Sequence, residues 1–474
     1  MQIRNMQMSM FDTYNDVAFS LENNKPKFFA LMEKYICWDE LIPVSFYHAF
    51  YKDTGRKRVY TLESLIAALV LQRVFGYTDD VQLLNTLKYS REMREFCGFT
   101  KVPDADKITR FKQNFCVHLE ELFEKLVDMT EPICRQINAE LSDCLIFDTT
   151  GVESYVAENN PKYMNSKLRQ AKSLAKSSPS FNPYTGVYSL LPDCAQSNPG
   201  VKQQYINGHY CYAQKAAVVT NGLGIVRHIS FLDEGFRRKH SETSFTKRSD
   251  NPDVDKEIGD SVLLKPVLKD FFNSHRDFRY STFIGDAAFD KYDHYTMLLK
   301  DFKFKRALIP LNHRNTKNTN IGFDENGTPL CPADNMPMIF LGKSGGKNRS
   351  ERYKWVCPKS EKTGTTRICT CETPCTGSKY GRCVYTYPDK DLRLYPGIAR
   401  GTQEWDSLYS ERTVIERTIY SLKSSFCVDN RKTSNSLTTK SDLILAGITQ
   451  LIGVLLAKAI NDVKLLRRVR KLIA

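Results

Sequence analysis

The hydrophobic period of this chain changes at Cys144, and that change limits the folds open to it. Before Cys144, apolar residues recur at the spacing of a helix face. Thr61 stands where it can cap a helix carrying Leu62, Leu65, Ile66, Leu69 and Val70, and Gly76 stands where it can end one. Thr78 or Asp79 opens a second helix with Val81, Leu84 and Leu87. A shorter segment, Ser90 to Cys97, closes on Gly98. Pro103-Asp104-Ala105-Asp106 then reads as a turn and cap before Ile108-Thr109-Arg110-Phe111-Lys112. Several short helices with basic residues on the last suit a helix-turn-helix-like DNA module, with Arg110 and Lys112 as its contacts. A helical bundle that only packs or dimerises fits this pattern nearly as well.

From Cys144 onward the signal is strand-like. Leu145-Ile146-Phe147 is a short apolar run ending on Asp148, as a buried strand does. A polar, Ser/Pro/Asn-rich stretch follows, Ala157 to Val201. Tyr210–Thr220 and Gly224–Phe231 then flank Asn221-Gly222, which predicts a β-hairpin with its positive φ supplied by Asn-Gly. Asp260–Asn273 reads as a helix, Ser281–Ile284 as a strand ending at Gly285-Asp286, Asp290–Leu299 as a helix and Arg306–Ile309 as a strand. A hairpin followed by alternating strands and helices indicates an α/β fold with a mixed sheet. Residues 312–401 interrupt it with a Gly-, Pro-, Lys- and Cys-rich insertion, expected to be β- and loop-rich. Two apolar helices, Leu408–Phe426 and Leu437–Ile460, and a basic tail close the chain. The expected domains are thus a helical region at 1–135, a core at 136–311 and 402–474, and the insertion between them.

Charge narrows the partners. Lys plus Arg number 68 against 54 Asp plus Glu, a net charge of +14, which points to a polyanion such as nucleic acid, although a merely basic enzyme carries the same balance. A membrane is not expected. Met1–Asn15 has no signal-like apolar core, and Leu443–Ala457 is interrupted by Thr449 and Gln450, short of the roughly 20 apolar residues of a spanning helix. Fourteen cysteines without a targeting segment place the chain in a reducing cytoplasm.

Asp148 and Asp286, at the ends of two apolar strands, could hold hard cations such as Mg²⁺. The alternative is that each only caps the following turn. A third carboxylate comes from the Leu408–Phe426 helix. On a helix advancing about 100° per residue, Arg412, Glu416 and Lys423 fall within roughly 60° of Tyr409, beside an apolar band of Leu408, Ile415, Ile419, Leu422 and Phe426. Glu411 falls well away from that stripe. Glu416 is therefore the carboxylate aimed at the metals, unless the stripe is only a salt-bridged surface.

Tyr409-x₂-Arg412-x₃-Glu416-x₆-Lys423 resembles the YREK signature of bacterial insertion-sequence DDE transposases at every spacing. Leu145-Ile146-Phe147-Asp148-Thr149-Thr150 and Phe283-Ile284-Gly285-Asp286 resemble that family's two aspartate strands, and Phe96-Cys97-Gly98 with Pro103–Phe111 resembles its DNA-binding region. The resemblance implies an RNase H-like core in which Asp148, Asp286 and Glu416 are catalytic and bind Mg²⁺, for which Mn²⁺ can substitute. It implies cleavage at the ends of a mobile element and strand transfer into target DNA, with Tyr409, Arg412 and Lys423 on the DNA backbone. The partners it implies are double-stranded DNA, as terminal repeats and target, and a second copy of the chain. An aromatic from the insertion, Trp355, is the candidate for stacking on a displaced base. Two other readings stay open: an RNase H-like nuclease that does not join ends, and a transposase-derived DNA-binding protein without catalysis.

Six cysteines, Cys331, Cys357, Cys369, Cys371, Cys375 and Cys383, fall in the insertion. Cys357, Cys369, Cys371 and Cys375 could furnish a structural Zn²⁺ site, although the paired Cys-x₂-Cys knuckles of common zinc ribbons are absent and reduced thiols are the default. His209, His228 and His294 read as structural. Asp290 and Asp293 read as solvated helix-start residues.

Overall fold

The computed structural model describes residues 26–473, apart from 53, 179, 207–208, 244–258, 313–321, 347–348 and 430. Met1–Asn15, read above for a targeting signal, lies outside the described residues. The chain divides into two compact units, one of helices and one built on a mixed sheet.

The helical unit comprises the described part of Met1–Ile133 with Leu422–Val428 and Lys440–Ala474. Its Leu62–Phe75 helix begins at Thr61, whose side chain accepts the Ser64 N–H, and ends on Gly76 at φ 78°. Twelve of its fourteen residues are buried, so this helix is central rather than amphipathic. Asp79, Ser90 and Asp104 cap the helices that follow, Asp80–Tyr89, Arg91–Phe96 and Ala105–Asn114. Charge is buried here as well. Arg73 meets Asp442 at 2.6 Å, and Lys112 meets Asp442 at 3.1 Å and Asp80 at 2.9 Å. Among the described residues, Ser436–Ala459 is the helix long and apolar enough to cross a membrane, and 83% of its most apolar window is buried in the protein.

The second unit comprises Cys134–Ser421 and Asp429–Thr439. Its main sheet is built around β1 (Cys144–Glu153). On one side β1 pairs antiparallel with β4 (His209–Asn221), whose far edge carries β3 (Asn198–Ile206) and then β5 (Val226–Phe231), while β2 (Cys194–Ala195) pairs with β3. On its other side β1 runs parallel to β6 (Thr282–Ile284), and β6 parallel to β7 (Arg306–Leu308). Side chains alternate across a strand, and β1 shows it. Leu145 and Phe147 enter a core with Leu264, Phe271 and Phe283, whereas Cys144 and Ile146 enter one with Ile284, Trp405, Val414 and Ile415.

Asp148 has the parity of Cys144 and Ile146. Contrary to expectation, β1 does not end there. Its parallel pairing with β6 stops at Ile146, but its antiparallel pairing with β4 continues to Glu153. The hairpin also differs from the expected two-residue turn. Asn221 is still paired in β4, its Oδ1 accepts the N–H groups of Leu223 and Ile225, and the positive φ falls on Gly224 at 74°. Gly222 serves instead as a point of close approach: its N–H donates to the Leu141 carbonyl, which a Cβ there would meet at 2.6 Å.

The insertion forms a three-stranded sheet of β8 (Ile339–Gly346), β9 (Arg349–Val356) and β12 (Cys383–Thr386), with a hairpin of β10 (Ser360–Thr363) and β11 (Thr366–Cys369). Trp355 is only 2% exposed there, packed with Met338, Tyr353 and Tyr395, and its Nε1 donates to Thr386 Oγ1 at 2.9 Å. It is a core residue in this structure rather than one presented to a base.

Candidate active site

Asp148 and Asp286 come from the two strands at the centre of the sheet. Asp148 Oδ1 accepts the Thr149 N–H at 2.8 Å. Asp286, two residues beyond β6, turns its carboxylate onto the Ala287 N–H and so caps a short 3₁₀ turn. Both aspartates therefore have the capping contact of the simpler alternative, but they also share further neighbours. Burial pushes the Asp148 carboxyl up to about 6; Asp260 and Asp286 push the same way, while the Thr149 N–H and Arg412 oppose them. Negative charge is thus concentrated at this end of the sheet.

The third carboxylate arrives on a helix that is not regular. The expected Leu408–Phe426 helix is divided into Gln403–Tyr409, a 3₁₀ turn at Ser410–Arg412, Thr413–Tyr420 and a π-turn at Ser421–Ser425. Ile415 and Ile419 pack on the sheet face that carries Asp148, and Thr418 Oγ1 donates to the Gly224 carbonyl at 2.9 Å. Glu416, one position from Ile415, is left half exposed. Arg412 donates to Glu416 at 2.7 Å and to Asp286 at 3.4 Å. Tyr409 stacks on Trp405, and burial raises its phenol to about 12, with Asp286, Glu416 and Asp148 adding to the effect against Arg412. The phenol stays a donor at neutral pH.

Asp148, Asp286, Glu416, Arg412 and Tyr409 therefore share one site. Asp260, the first residue of the Asp260–Ser274 helix, adds a carboxylate that the sequence did not single out. It accepts from Thr149 Oγ1 and pairs with Lys215, each at 2.5 Å, and so steadies β1 next to Asp148. The donors are all carboxylate oxygens, the set that hard divalent cations take. They are not drawn tightly together. Among the described residues, ligand atoms all within 4.8 Å of one another belong to Cys357, Cys369 and Cys371, and to Glu153, His209 and Cys211. At the carboxylates, Arg412 bridges two of the three.

Residues 18–114 match the family model of a transposase domain (DUF772). The described part of this segment, from residue 26, lies in the helical unit, and the segment stops before the first of the carboxylates. No curated protein matches the chain. A cryo-EM structure of the piggyBac transposase synaptic complex with hairpin DNA is similar over 95% of this chain and 80% of its own, at 11% identity and a TM-score of 0.40.

Within the transposase-domain segment, Arg110 and Lys112 lie on the Ala105–Asn114 helix. Arg110 is exposed, near Asp106 at 3.8 Å. Lys112 is a correction: its side chain is 1% exposed and held by Asp80 and Asp442, so it does not present a cation to DNA. Lys423 is likewise buried, in the π-turn, and belongs to the helical unit. Asp290 is a further correction. It is buried, accepts two bonds from Arg393 and one from Tyr295 Oη, and is not solvated. The histidines have structural contacts: His228 with Ser230, His294 with the Phe289 carbonyl and His209 with Glu153.

Proposed function

We propose that this chain is a DDE transposase that cuts DNA at the ends of a mobile element and joins them to target DNA. The observation that carries the proposal is the gathering of Asp148, Asp286 and Glu416 around Arg412 on one sheet face. The transposase-domain match at residues 18–114 supports it from a separate part of the chain, and the mixed sheet supports the RNase H-like reading of the core. Asp148, Asp286 and Glu416 would hold Mg²⁺, or Mn²⁺ in its place. When bound, the metal activates the attacking oxygen and stabilises the leaving one.

The chain's own groups do the positioning. Arg412 neutralises Asp286 and Glu416 and offers its guanidinium to a phosphate. Tyr409, kept protonated, donates a hydrogen bond to the DNA backbone. Asp260 and Lys215 hold Thr149, and with it Asp148, in register. Arg110 and the net positive charge supply salt-dependent affinity for double-stranded DNA. Joining two ends to one target calls for two copies of the chain on the DNA.

The test uses labelled DNA carrying the sequences that flank this protein's own gene. Nicking and end-joining are followed with Mg²⁺, with EDTA, and in Asp286→Asn, Glu416→Gln and Glu411→Gln. Cutting and joining that vanish in the first two variants and survive in the third are the expected result. Cutting without joining would reassign the chain to a nuclease. End-specific binding without cutting under any metal would make it a DNA-binding derivative, and activity in Glu416→Gln would remove Glu416 from the site.

A further inference from the structure

The thiol cluster of the insertion lies outside the carboxylate site and has a geometry of its own. Cys357 Sγ and Cys371 Sγ are 3.9 Å apart, and the sulfurs of Cys357, Cys369 and Cys371 all lie within 4.8 Å of one another. A disulfide would bring two sulfurs to about 2.0 Å. Four thiolates about 2.3 Å from a tetrahedral Zn²⁺ stand about 3.8 Å apart, close to the 3.9 Å between Cys357 and Cys371. We propose that Cys357, Cys369, Cys371 and Cys375 hold one structural Zn²⁺ ion as a four-thiolate site.

The backbone places these residues. Cys357 begins a turn in which its carbonyl accepts the Ser360 N–H at 3.1 Å and the Ser360 hydroxyl at 2.7 Å. The β10–β11 hairpin then returns the chain so that Cys369 faces Ser360, and the Thr370 N–H bonds the Lys359 carbonyl at 3.1 Å. Gly381, at φ 87°, passes close by: a Cβ there would stand 3.5 Å from those of both Cys357 and Cys369.

The fourth ligand is Cys375 rather than Cys331. Cys375, four residues beyond Cys371, lies outside the 4.8 Å group of the other three sulfurs, with Cys331 as its hydrogen-bonding neighbour and Cys357 also close, while the Cys331 thiol also engages Asp334. Cys331 is thereby placed as a hydrogen-bonding neighbour of the ligand sulfur, the supporting role that tunes metal sites. Lys359, paired with Asp334 at 2.8 Å, and Arg382 lie beside the thiols and offset the two negative charges of a zinc tetrathiolate.

The need for a metal follows from burial. In β10 and β11 only Ser360 is buried, and a two-stranded hairpin without a core is marginal in water. Metal ligation supplies the missing free energy, and each protonated thiol that binds gives up its proton.

The full chain, purified without chelator or histidine tag, is expected to carry one zinc per chain by mass spectrometry. X-ray absorption at the zinc edge is expected to show four sulfur neighbours. Mercurial titration of the unmodified protein should release that zinc as four thiols react, a readout independent of any variant's folding. Cys369→Ser and Cys375→Ser should lose most of the zinc, whereas Cys331→Ser and Cys383→Ser should keep it. Absence of zinc, iron in its place, or oxygen and nitrogen neighbours would overturn the site. Zinc retained in Cys375→Ser and lost in Cys331→Ser would overturn the choice of fourth ligand.

Discussion

Replacing Asp442 by Asn keeps the volume of the side chain and removes the charge that two buried cations share. Arg73 and Lys112 are each 1% exposed, at 2.6 Å and 3.1 Å from Asp442 Oδ1. After the change, Lys112 retains Asp80, and Arg73 retains the Gln72 side chain and the Leu69 carbonyl. Removing one partner of a buried pair typically costs about 3–5 kcal/mol, because the surviving charge stays desolvated. At roughly 2–4 °C per kcal/mol for a unit of this size, the midpoint should fall by about 6–20 °C. The assay is thermal unfolding at pH 7 by circular dichroism, run on the parent, Asp442→Asn, Lys112→Met and the double variant. Lys112→Met removes a buried cation along with its demand for a partner, so the double variant should recover at least about 1 kcal/mol relative to additivity. A loss below 1 kcal/mol in Asp442→Asn would refute the reasoning. So would a Lys112→Met protein of parental stability whose DNA affinity has dropped with a shallower salt dependence, since that is the signature of a phosphate contact.

Arg110→Gln should show that signature: unchanged stability and a salt slope for DNA binding shallower by about one, measured by fluorescence anisotropy. His228 is buried, and desolvation lowers its pKa to about 3, so the native state binds fewer protons than the unfolded one. The stability this represents is present above pH 6.5 and declines as the pH falls, by about 2 kcal/mol between pH 6.5 and 5; urea unfolding of His228→Gln should lack that part of the decline. Gly222→Ala forces a Cβ against the backbone carbonyl of Leu141 and should cost about 1–3 kcal/mol in the same assay. Trp355→Ala should destabilise the insertion by about 3–5 kcal/mol. At temperatures where that variant is folded, a fluorescent base at the cleavage site should report no change in stacking.

What the sequence determined about this protein was local. The cap at Thr61, the left-handed stop at Gly76 and the cap at Asp104 depend on side chains reaching backbone groups within a few residues, and each was legible in the order of residues. So was the i, i+4 pair of Arg412 and Glu416, whereas the face that Asp148 takes on β1 was not, because Leu145-Ile146-Phe147 is apolar throughout and buried on both sides. The polar stretch from Ala157 to Val201 was not read as a helix, although Asn160 caps one at Pro161–Ser177 whose inward face is little more than Ala171; with so few apolar residues to repeat, hydrophobic period carries no signal. The rest was decided by partners far away along the chain. Lys112 looked like a basic contact because Asp442, 330 residues away, gives no sign of where it packs. Asp260 was invisible beside Thr149, 111 residues distant, and Asp290 beside Arg393, 103 residues distant. A charge looks the same in sequence whether water or a buried counter-ion surrounds it. Only the fold chooses between them, because desolvating a charge is tolerated where the chain brings an opposite charge to meet it.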